Sequence, residues 1–454
     1  MSQKEWLPNG WVIAKVGDYL FLKNGFAFKS NSYVQPNDVT YPVIRISDID
    51  GMYASDADAI HVSDPVVGFE VCKGDLLIAM SGATTGKIGV YKGKEPAFQN
   101  QRVGNLKLRS DKLGSTRFRN YLIASLSENI LKEAYGGAQP NISGKAIENM
   151  EIQLPPLVEQ KIIADKLDTL LAQVESIKAR LESIPEILKQ FRQSVLAAAV
   201  SGKLTEEWNV QACLLSDVAE FQNGYAFKSE WFSNAGSYQV IKLGNIRDGR
   251  LFVENAPAYV DGKIGQEFER FKPSVGDTLI SMTGTRFKQD YGFGCLVETN
   301  QDILINQRVG RLIPLREKII PEFLNLFIRS ELFRRQFFQG ETGGVNQGNV
   351  GSKHIISLSI DVPRIEIQIE VVNKVVKALN AVTAIEEQVQ SALDRVNNLT
   401  QSILAKAFCG ELTAEWREAN PDLISGENSA EALLERIKAE RSAKPVTKRS
   451  RGKA

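Results

Sequence analysis

The chain repeats itself. Asn24-Gly25-Phe26-Ala27-Phe28-Lys29-Ser30 recurs as Asn223-Gly224-Tyr225-Ala226-Phe227-Lys228-Ser229, an offset of 199. Val43-Ile44-Arg45-Ile46 returns as Val240-Ile241-Lys242-Leu243. Gly74-Asp75 and Met80-Ser81-Gly82 return as Gly276-Asp277 and Met282-Thr283-Gly284. Asn100-Gln101-Arg102-Val103-Gly104 reappears unchanged as Asn306-Gln307-Arg308-Val309-Gly310, and Gly136-Gly137 pairs with Gly343-Gly344. Gly202-Lys203-Leu204-Thr205 with Trp208 matches Gly410-Glu411-Leu412-Thr413 with Trp416, at an offset of 208. So many ordered blocks, with a slowly drifting offset, mark a duplicated unit that has taken small loop insertions.

Each unit has two parts. The first is mixed: short apolar runs at 41–46, 76–80 and 278–282 read as strands, and Asn-Gly, Gly-Asp and Lys-Gly pairs read as the turns between them. Helical patterns follow at about 116–134 and 321–338. The second part is a long helix. Its apolar seam in the first unit is Ile163, Leu167, Leu170, Val174, Ile177, Leu181, Ile184, Leu188, Phe191 and Val195. Shifted by 208, the seam is Val371, Val375, Ala378, Val382, Ile385, Val389, Ala392, Val396, Leu399 and Ile403. Steps of four and three over more than four heptads predict coiled-coil-like pairing, here of the two helices with each other; packing of each on its own domain is the alternative. Pro155-Pro156 and Pro363 mark the starts, and Gly202 and Gly410 the C-terminal caps. Pro185 should kink the first helix.

The predicted fold is therefore α+β: two mixed α/β domains separated by two long antiparallel helices, with pseudo-two-fold symmetry. The boundaries are 1–155, 156–203 for the first long helix, 204–362, 363–412 for the second, and a tail, 413–454, partly helical and then basic and disordered. Lys448, Arg449, Arg451 and Lys453 make the end a solvated charge run.

Composition narrows the class less. With 55 Lys and Arg against 54 Asp and Glu, the formal net charge is +1, so any basic surface must come from grouping rather than excess. Cys72, Cys213, Cys295 and Cys409 form no C-x-x-C pair and read as reduced core thiols of a cytoplasmic protein. The N-terminus lacks the apolar stretch of a signal peptide, and no window reaches the roughly 20 apolar residues of a membrane span.

Catalytic signatures are missing from the pattern. The segment from Gly82 to Ile88 is one residue short of a phosphate loop and ends in Ile where a metal-binding hydroxyl is needed; its copy, beginning at Gly284, has lost the second Gly. His61 and His354 fall at non-equivalent places. The only Pro-Pro lacks the residues an adenine methyltransferase requires. Asp75 and Asp277 each follow a Gly and read as turn residues. No metal-ligand spacing occurs.

The repeated polar blocks suit DNA, since Lys, Arg and Ser hold phosphates while Asn, Gln and Arg read base edges. The candidate contacts are Lys29, Ser30, Arg45, Ser81, Thr84, Thr85, Lys87, Asn100, Gln101, Arg102, Gln139 and Asn141 in the first unit. In the second they are Lys228, Ser229, Lys242, Thr283, Thr285, Arg286, Lys288, Gln307, Arg308, Asn346 and Gln347. The blocks shared by both copies equally suit turns that hold the fold. Positions that differ between copies are the better candidates for base contact: Thr84, Thr85 and Lys87 against Thr285, Arg286 and Lys288, and Gln139 and Asn141 against Asn346 and Gln347.

From residue 1 to about 416 the chain resembles the specificity subunit of type I restriction–modification systems. The motifs that carry the resemblance are NGFAFKS, MSGATTGKIG, NQRVG, GGAQPNISGKAI and the stretch from Leu154 to Trp208, with its copy from Val362 to Trp416. The second copy is the poorer match. The resemblance implies two target recognition domains that read the halves of a split double-stranded DNA site. The long helices would act as a ruler; ten seam positions span roughly 50 Å at 1.5 Å per residue, so the half-sites would be centred one to one and a half turns of about 34–36 Å apart. It also implies two modification subunits bound to the helices, methylating adenine N6, and restriction subunits joined through them. S-adenosylmethionine, ATP and Mg are then expected on those partners, and neither cofactor nor metal on this chain. A bivalent protein-binding scaffold and an enzyme of unrecognised motif are the competing classes.

Overall fold

A computed structural model describes residues 7–135, 140–247 and 249–443. The chain divides into two compact units, Met1–Arg180 with Leu393–Ala454, and Leu181–Ala392. The division falls inside the two long helices, Leu157–Ala199 and Ile365–Phe408. Each unit therefore owns part of both.

In the first unit the central sheet has the order Leu20–Asn24, Val103–Leu108, Leu76–Ala79, Ile88–Tyr91, Tyr53–Ala54. Leu76–Ala79 sits in its middle because it is apolar at every position, and all four residues are buried; such a run has no polar face to show to solvent. A second five-stranded sheet is built around Tyr41–Ile44. Val12–Lys15 pairs antiparallel with Glu151–Leu154, closing the domain at the foot of the first long helix.

The second unit repeats the plan. Its central sheet runs Ala219–Asn223, Val309–Pro314, Thr278–Ser281, Gly294–Leu296; Thr278–Ser281 is buried throughout, and Val210–Leu214 pairs with Ser359–Pro363. The helical patterns appear as two pairs, Thr116–Ser125 with Ser127–Ala134, and Pro321–Arg329 with Glu331–Gln339. In the second pair Ser330 makes the break, its hydroxyl capping the N–H of Phe333 at 3.1 Å.

Both long helices start against their domain through a repeated buried glutamine. Gln160 accepts from the Tyr19 hydroxyl at 2.7 Å and donates to Pro155 O at 3.0 Å. Gln368 accepts from Ile320 N at 2.8 Å and donates to Pro363 O at 2.8 Å. The neighbouring position differs. Glu159, fully buried, accepts from Trp11 Nε1 at 2.8 Å, Thr413 Oγ1 at 2.7 Å and Arg417 Nη1 at 2.5 Å; its counterpart in the second unit is the apolar Ile367. The first helix continues through Pro185. Gly202, at φ +77, follows its end, and Lys203 N reaches back to Ala198 O at 3.2 Å, the closure that only a left-handed residue permits without strain.

The seam is narrower than the heptad implies. One column, Leu167, Val174, Leu181, Leu188, Val195 and Val375, Val382, Val389, Val396, Ile403, is buried or half-buried along its length. In the other column Ile163 and Val371 are buried and Leu170, Ile184, Ala378 and Ala392 half-buried, while Ile177, Phe191, Ile385 and Leu399 stand exposed. Within each unit the helix segments thus bury one column throughout and the other only in part. Arg192 adds a two-pronged ion pair to Glu386, both contacts 2.7 Å, in the second unit.

Two other expectations are revised. Of the four cysteines only Cys295 is core; Cys72 and Cys409 are exposed and Cys213 half-buried. Within the region expected to be a tail, helix Ala430–Ala443 buries Leu433, Leu434 and Ile437 in the core of the first unit, beside Leu404 and Ala407. The basic end, with Lys448 and Arg449, lies outside the described residues.

Candidate nucleic-acid interface

The shared blocks meet each other. Gly25 N donates to Val103 O at 3.1 Å and Phe26 N to Gln99 O at 2.9 Å; Gly224 N donates to Val309 O at 3.0 Å and Tyr225 N to Ile305 O at 3.0 Å. A Cβ at Gly25 would lie 2.0 Å from Asn100 O, and one at Gly224 2.1 Å from Asn306 O. Backbone against backbone cannot yield, so glycine is required at both places. The Asn-Gly and Asn-Gln-Arg-Val-Gly blocks persist together because they build one turn. Asp75 and Asp277 do hold turns, accepting from Cys72 N at 3.0 Å and Ser274 N at 2.6 Å.

From that turn the polar residues converge at one end of each central sheet. In the first unit Met80 N donates to Arg102 O at 2.9 Å and Ile142 N to Met80 O at 2.9 Å, while Ser81 bridges Asn141. Residues near 81, 102 and 141 are thereby brought side by side, and Arg102 Nη1 reaches Ser81 Oγ at 3.3 Å. In the second unit Met282 N donates to Arg308 O at 3.0 Å and Val350 N to Met282 O at 3.0 Å. There Thr283–Thr285 pairs with Gln347–Val350, which pairs with Glu341–Gly343, in a small three-stranded sheet.

The candidates divide by exposure. Lys29, Ser30, Lys87, Gln101, Arg102, Asn141, Lys228, Ser229, Lys288, Gln307, Arg308, Asn346 and Gln347 are exposed. Arg45, Ser81, Thr84, Asn100, Lys242, Thr285 and Arg286 are half-buried. Thr85 and Thr283, 3% and 8% exposed, are fold residues: Thr85 Oγ1 is spent on Gly82 O at 2.6 Å and Pro140 O at 3.1 Å. Gln139 lies outside the described residues. Lys29 and Lys228 sit at the entry to matching short turns, Ser30–Ser32 and Ser229–Trp231.

Several cations are already engaged. Arg45 is held by Asp48 at 3.3 Å and by Asp58 O at 3.0 Å. Lys242 lies over the Phe232 ring at 4.5 Å. Arg286 pairs with Glu341 at 3.2 Å. Glu341 also accepts from the Tyr291 hydroxyl; burial, and then this hydrogen bond, push that phenol well above its usual range.

The two loops after the central strand are not equivalent in length. Ala79 N donates to Lys87 O at 2.9 Å, as Ser281 N does to Phe293 O at 3.0 Å; Gly86 N closes on Ala79 O at 2.8 Å, as Gly292 N does on Ser281 O at 2.8 Å. Gly292 therefore stands where the first unit has Gly86, both with positive φ, and the second Gly is displaced rather than lost. Lys87 corresponds to Phe293, not to Lys288, and the second loop carries four more residues. Comparing the interval from Met80 to Gly86 with that from Met282 to Gly292 gives this insertion from sequence alone.

The loops make poor sites for other chemistry. Thr85 N, Gly86 N and Lys87 N are all spent within the turn, on Gly82 O, Ala79 O and Thr84 O, so they do not form the open cradle of a phosphate loop. His61 Nδ1 lies 2.8 Å from Thr40 Oγ1 and His354 Nε2 2.9 Å from Gln336 O. Among the described residues no group of His, Cys, Asp and Glu could hold a metal ion, and no helix is long and apolar enough to cross a membrane.

A duplicated sheet domain with polar loops gathered at one sheet end, each joined to a long helix, describes a two-headed recognition protein. Residues 8–186 and 206–395 match the family of type I restriction modification DNA specificity domains, and the chain belongs to that family. It is 36% identical to the EcoBI type I restriction enzyme specificity subunit of Escherichia coli, over 98% of this chain and 96% of that one. It is also 36% identical to the EcoKI specificity subunit of Escherichia coli strain K12, over 99% of both. The fold is similar to that of the HsdS subunit from Thermoanaerobacter tengcongensis, with a TM-score of 0.62 and 17% identity over 90% of this chain and all of that one. A chain from an assembly of the type I restriction–modification system gives a TM-score of 0.63 at 16% identity, over 89% of this chain and 99% of that one. The chain is accordingly the DNA-recognition component of a type I system, a role without catalysis of its own.

Proposed function

We propose that each central-sheet end reads one half of a split double-stranded DNA site, leaving the spacer unread. The observation that carries this is the convergence, in both units, of the loop after the central strand, the Asn-Gln-Arg turn and the 141 or 347 segment. Exposed Lys87 and Arg102 in one unit, and Lys288 and Arg308 in the other, supply phosphate contacts; Asn141, Asn346 and Gln347 supply base-edge groups. The two half-sites differ because the loops differ in length and composition.

The long helices serve as spacer and as the seat of two modification subunits, to which exposed Ile177 and Leu399 in the first unit, and Phe191 and Ile385 in the second, offer apolar contacts. S-adenosylmethionine belongs to those subunits, ATP and Mg to the restriction subunits that join through them, and the assembly works in the cytoplasm. The test is single-molecule sequencing of DNA from cells that express this chain with its modification subunit. A split motif with N6-methyladenine in each half, absent when the chain is deleted, is the expected result. A folded, co-purifying complex that methylates nothing points instead to a scaffold, and salt-independent binding to partners alone would establish that role.

A further inference from the structure

Phe287 is 79% exposed, and it lies in the loop that is four residues longer in the second unit. The loop that carries it is braced. Thr285 N donates to Asp290 Oδ1 at 2.6 Å; Lys288 N and Gln289 N donate to Thr285 O at 3.2 and 3.0 Å. Arg334, stacked on the Phe293 and Phe338 rings, donates to Gln289 O at 2.9 Å and Tyr291 O at 3.0 Å. Gln289 is held at φ +46, a conformation a free chain avoids.

A neighbouring loop tip repeats the pattern. Arg286 N reaches Asn346 O at 3.4 Å, and its guanidinium reaches Gly344 O at 3.4 Å, tying this loop to the hairpin whose turn presents Val345, 76% exposed. Single apolar side chains on a surface need no explanation. Here two stand on joined, preformed tips, among Lys288, Asn346 and Gln347, where a recognition surface otherwise consists of polar groups. The first unit has Thr-Thr-Gly-Lys in the corresponding loop and no aromatic there.

We propose that Phe287 is a specificity-determining residue of the second half-site: its ring packs on the C5 methyl of a thymine in the major groove, the one apolar feature that a base edge presents there. Val345 flanks the same contact, and Lys288 holds the adjoining phosphate. This rests on the reading that the loops face DNA. The first unit, lacking the ring, does not read a methyl in this way.

The experiment selects random duplex DNA on the immobilised full chain and reads the enriched sequence. If the wild-type chain enriches nothing, the DNA reading itself is overturned. Given an enriched site, each thymine is replaced singly by deoxyuridine, which removes only the methyl. At one position in one half-site the wild-type chain should lose about three- to fourfold in affinity, the effect of one methyl group. Phe287→Ala should bind the thymine duplex at least that much more weakly and lose nothing further on the deoxyuridine duplex. Equal sensitivity in both proteins, or none at any thymine, overturns the proposal. So does 2-aminopurine fluorescence that rises at a base step on wild-type binding and not with Phe287→Ala, since that marks insertion between bases. The ring is exposed, so the variant should keep the wild-type melting temperature, and a lowered one overturns the view that Phe287 is free of the core.

Discussion

Arg311 donates Nε to Asp277 Oδ2 at 2.6 Å, where the first unit sets the neutral Asn105 against Asp75 at 2.8 Å. Both pairs tie a central-sheet strand to the turn that precedes its neighbour. The charged pair is nearly enclosed, with side chains 11% and 5% exposed. Asp277→Ala strands a buried guanidinium and should cost about 3–5 kcal/mol. Asn105→Ala, which removes a neutral donor, should cost about 1 kcal/mol. Urea unfolding of the two variants checks the contrast, and equal midpoints would count against it.

Lys87 and Lys288 stand at non-equivalent positions of corresponding loops, yet each should hold a phosphate. Lys87→Ala and Lys288→Ala are expected to weaken binding to all sequences and to lower the slope of log affinity against log salt by about 1 each. Thr85→Val should leave that slope alone, because its hydroxyl is committed to Gly82 O and Pro140 O. Titrations at several salt concentrations separate the two kinds of residue.

The seam makes opposite forecasts for two residues three apart. Val382 is buried and Ile385 exposed. Val382→Glu places a charge in a packed file and should lower the unfolding midpoint sharply. Ile385→Glu should stay within about 0.5 kcal/mol of wild type while weakening co-purification with a modification subunit. Destabilisation of equal size by both would mean that both columns are packed.

Thiol reactivity should follow burial. Cys409 and Cys72 should react with an aromatic disulfide in the native protein, Cys72 the more slowly because partial burial and then Asp75 raise its thiol. Burial pushes Cys295 up from the ordinary 9.0 to about 12. The folded chain therefore keeps a proton that the unfolded chain releases. Its contribution to stability is complete below pH 9 and is lost as pH rises towards 12. Cys295→Ala should flatten that part of the alkaline unfolding curve.

Leu433→Ala should cost about 2–5 kcal/mol, since the side chain is buried in the first unit's core. Circular dichroism on heating checks it; a neutral result would make the last helix a dispensable appendage.

Much of this was legible beforehand because duplication tests each reading twice. The strands at 76 and 278 and the starts of the long helices come from patterns that occur at matching places in both halves. What stayed hidden depends on contact between distant positions. The periodicity of Ile177 equals that of Val174, and only the geometry of approach leaves one out in solvent. Thr85 and Thr283 carry the same hydroxyl as a phosphate-binding threonine, and only burial withdraws them. Leu433 looks like part of a short amphipathic helix until the core it completes is seen. Glu159 gave no sign at all, since its three donors come from positions 11, 413 and 417.

The first unit is assembled from both ends of the chain, while Leu181–Ala392 is one uninterrupted stretch. During synthesis the walls around Tyr19, Phe118 and Ile163 leave the ribosome long before Leu404, Ala407 and Ile437, which finish the same core. At about 5–20 residues per second, the wait is on the order of 10–50 s. Through that interval the nascent first unit carries an unsealed apolar surface, and a message cut short between codons 392 and 404 yields a product whose second unit is whole and whose first unit lacks the residues that close it. Chaperones and proteases that act on exposed apolar surface can thus tell sealed chains from unsealed ones.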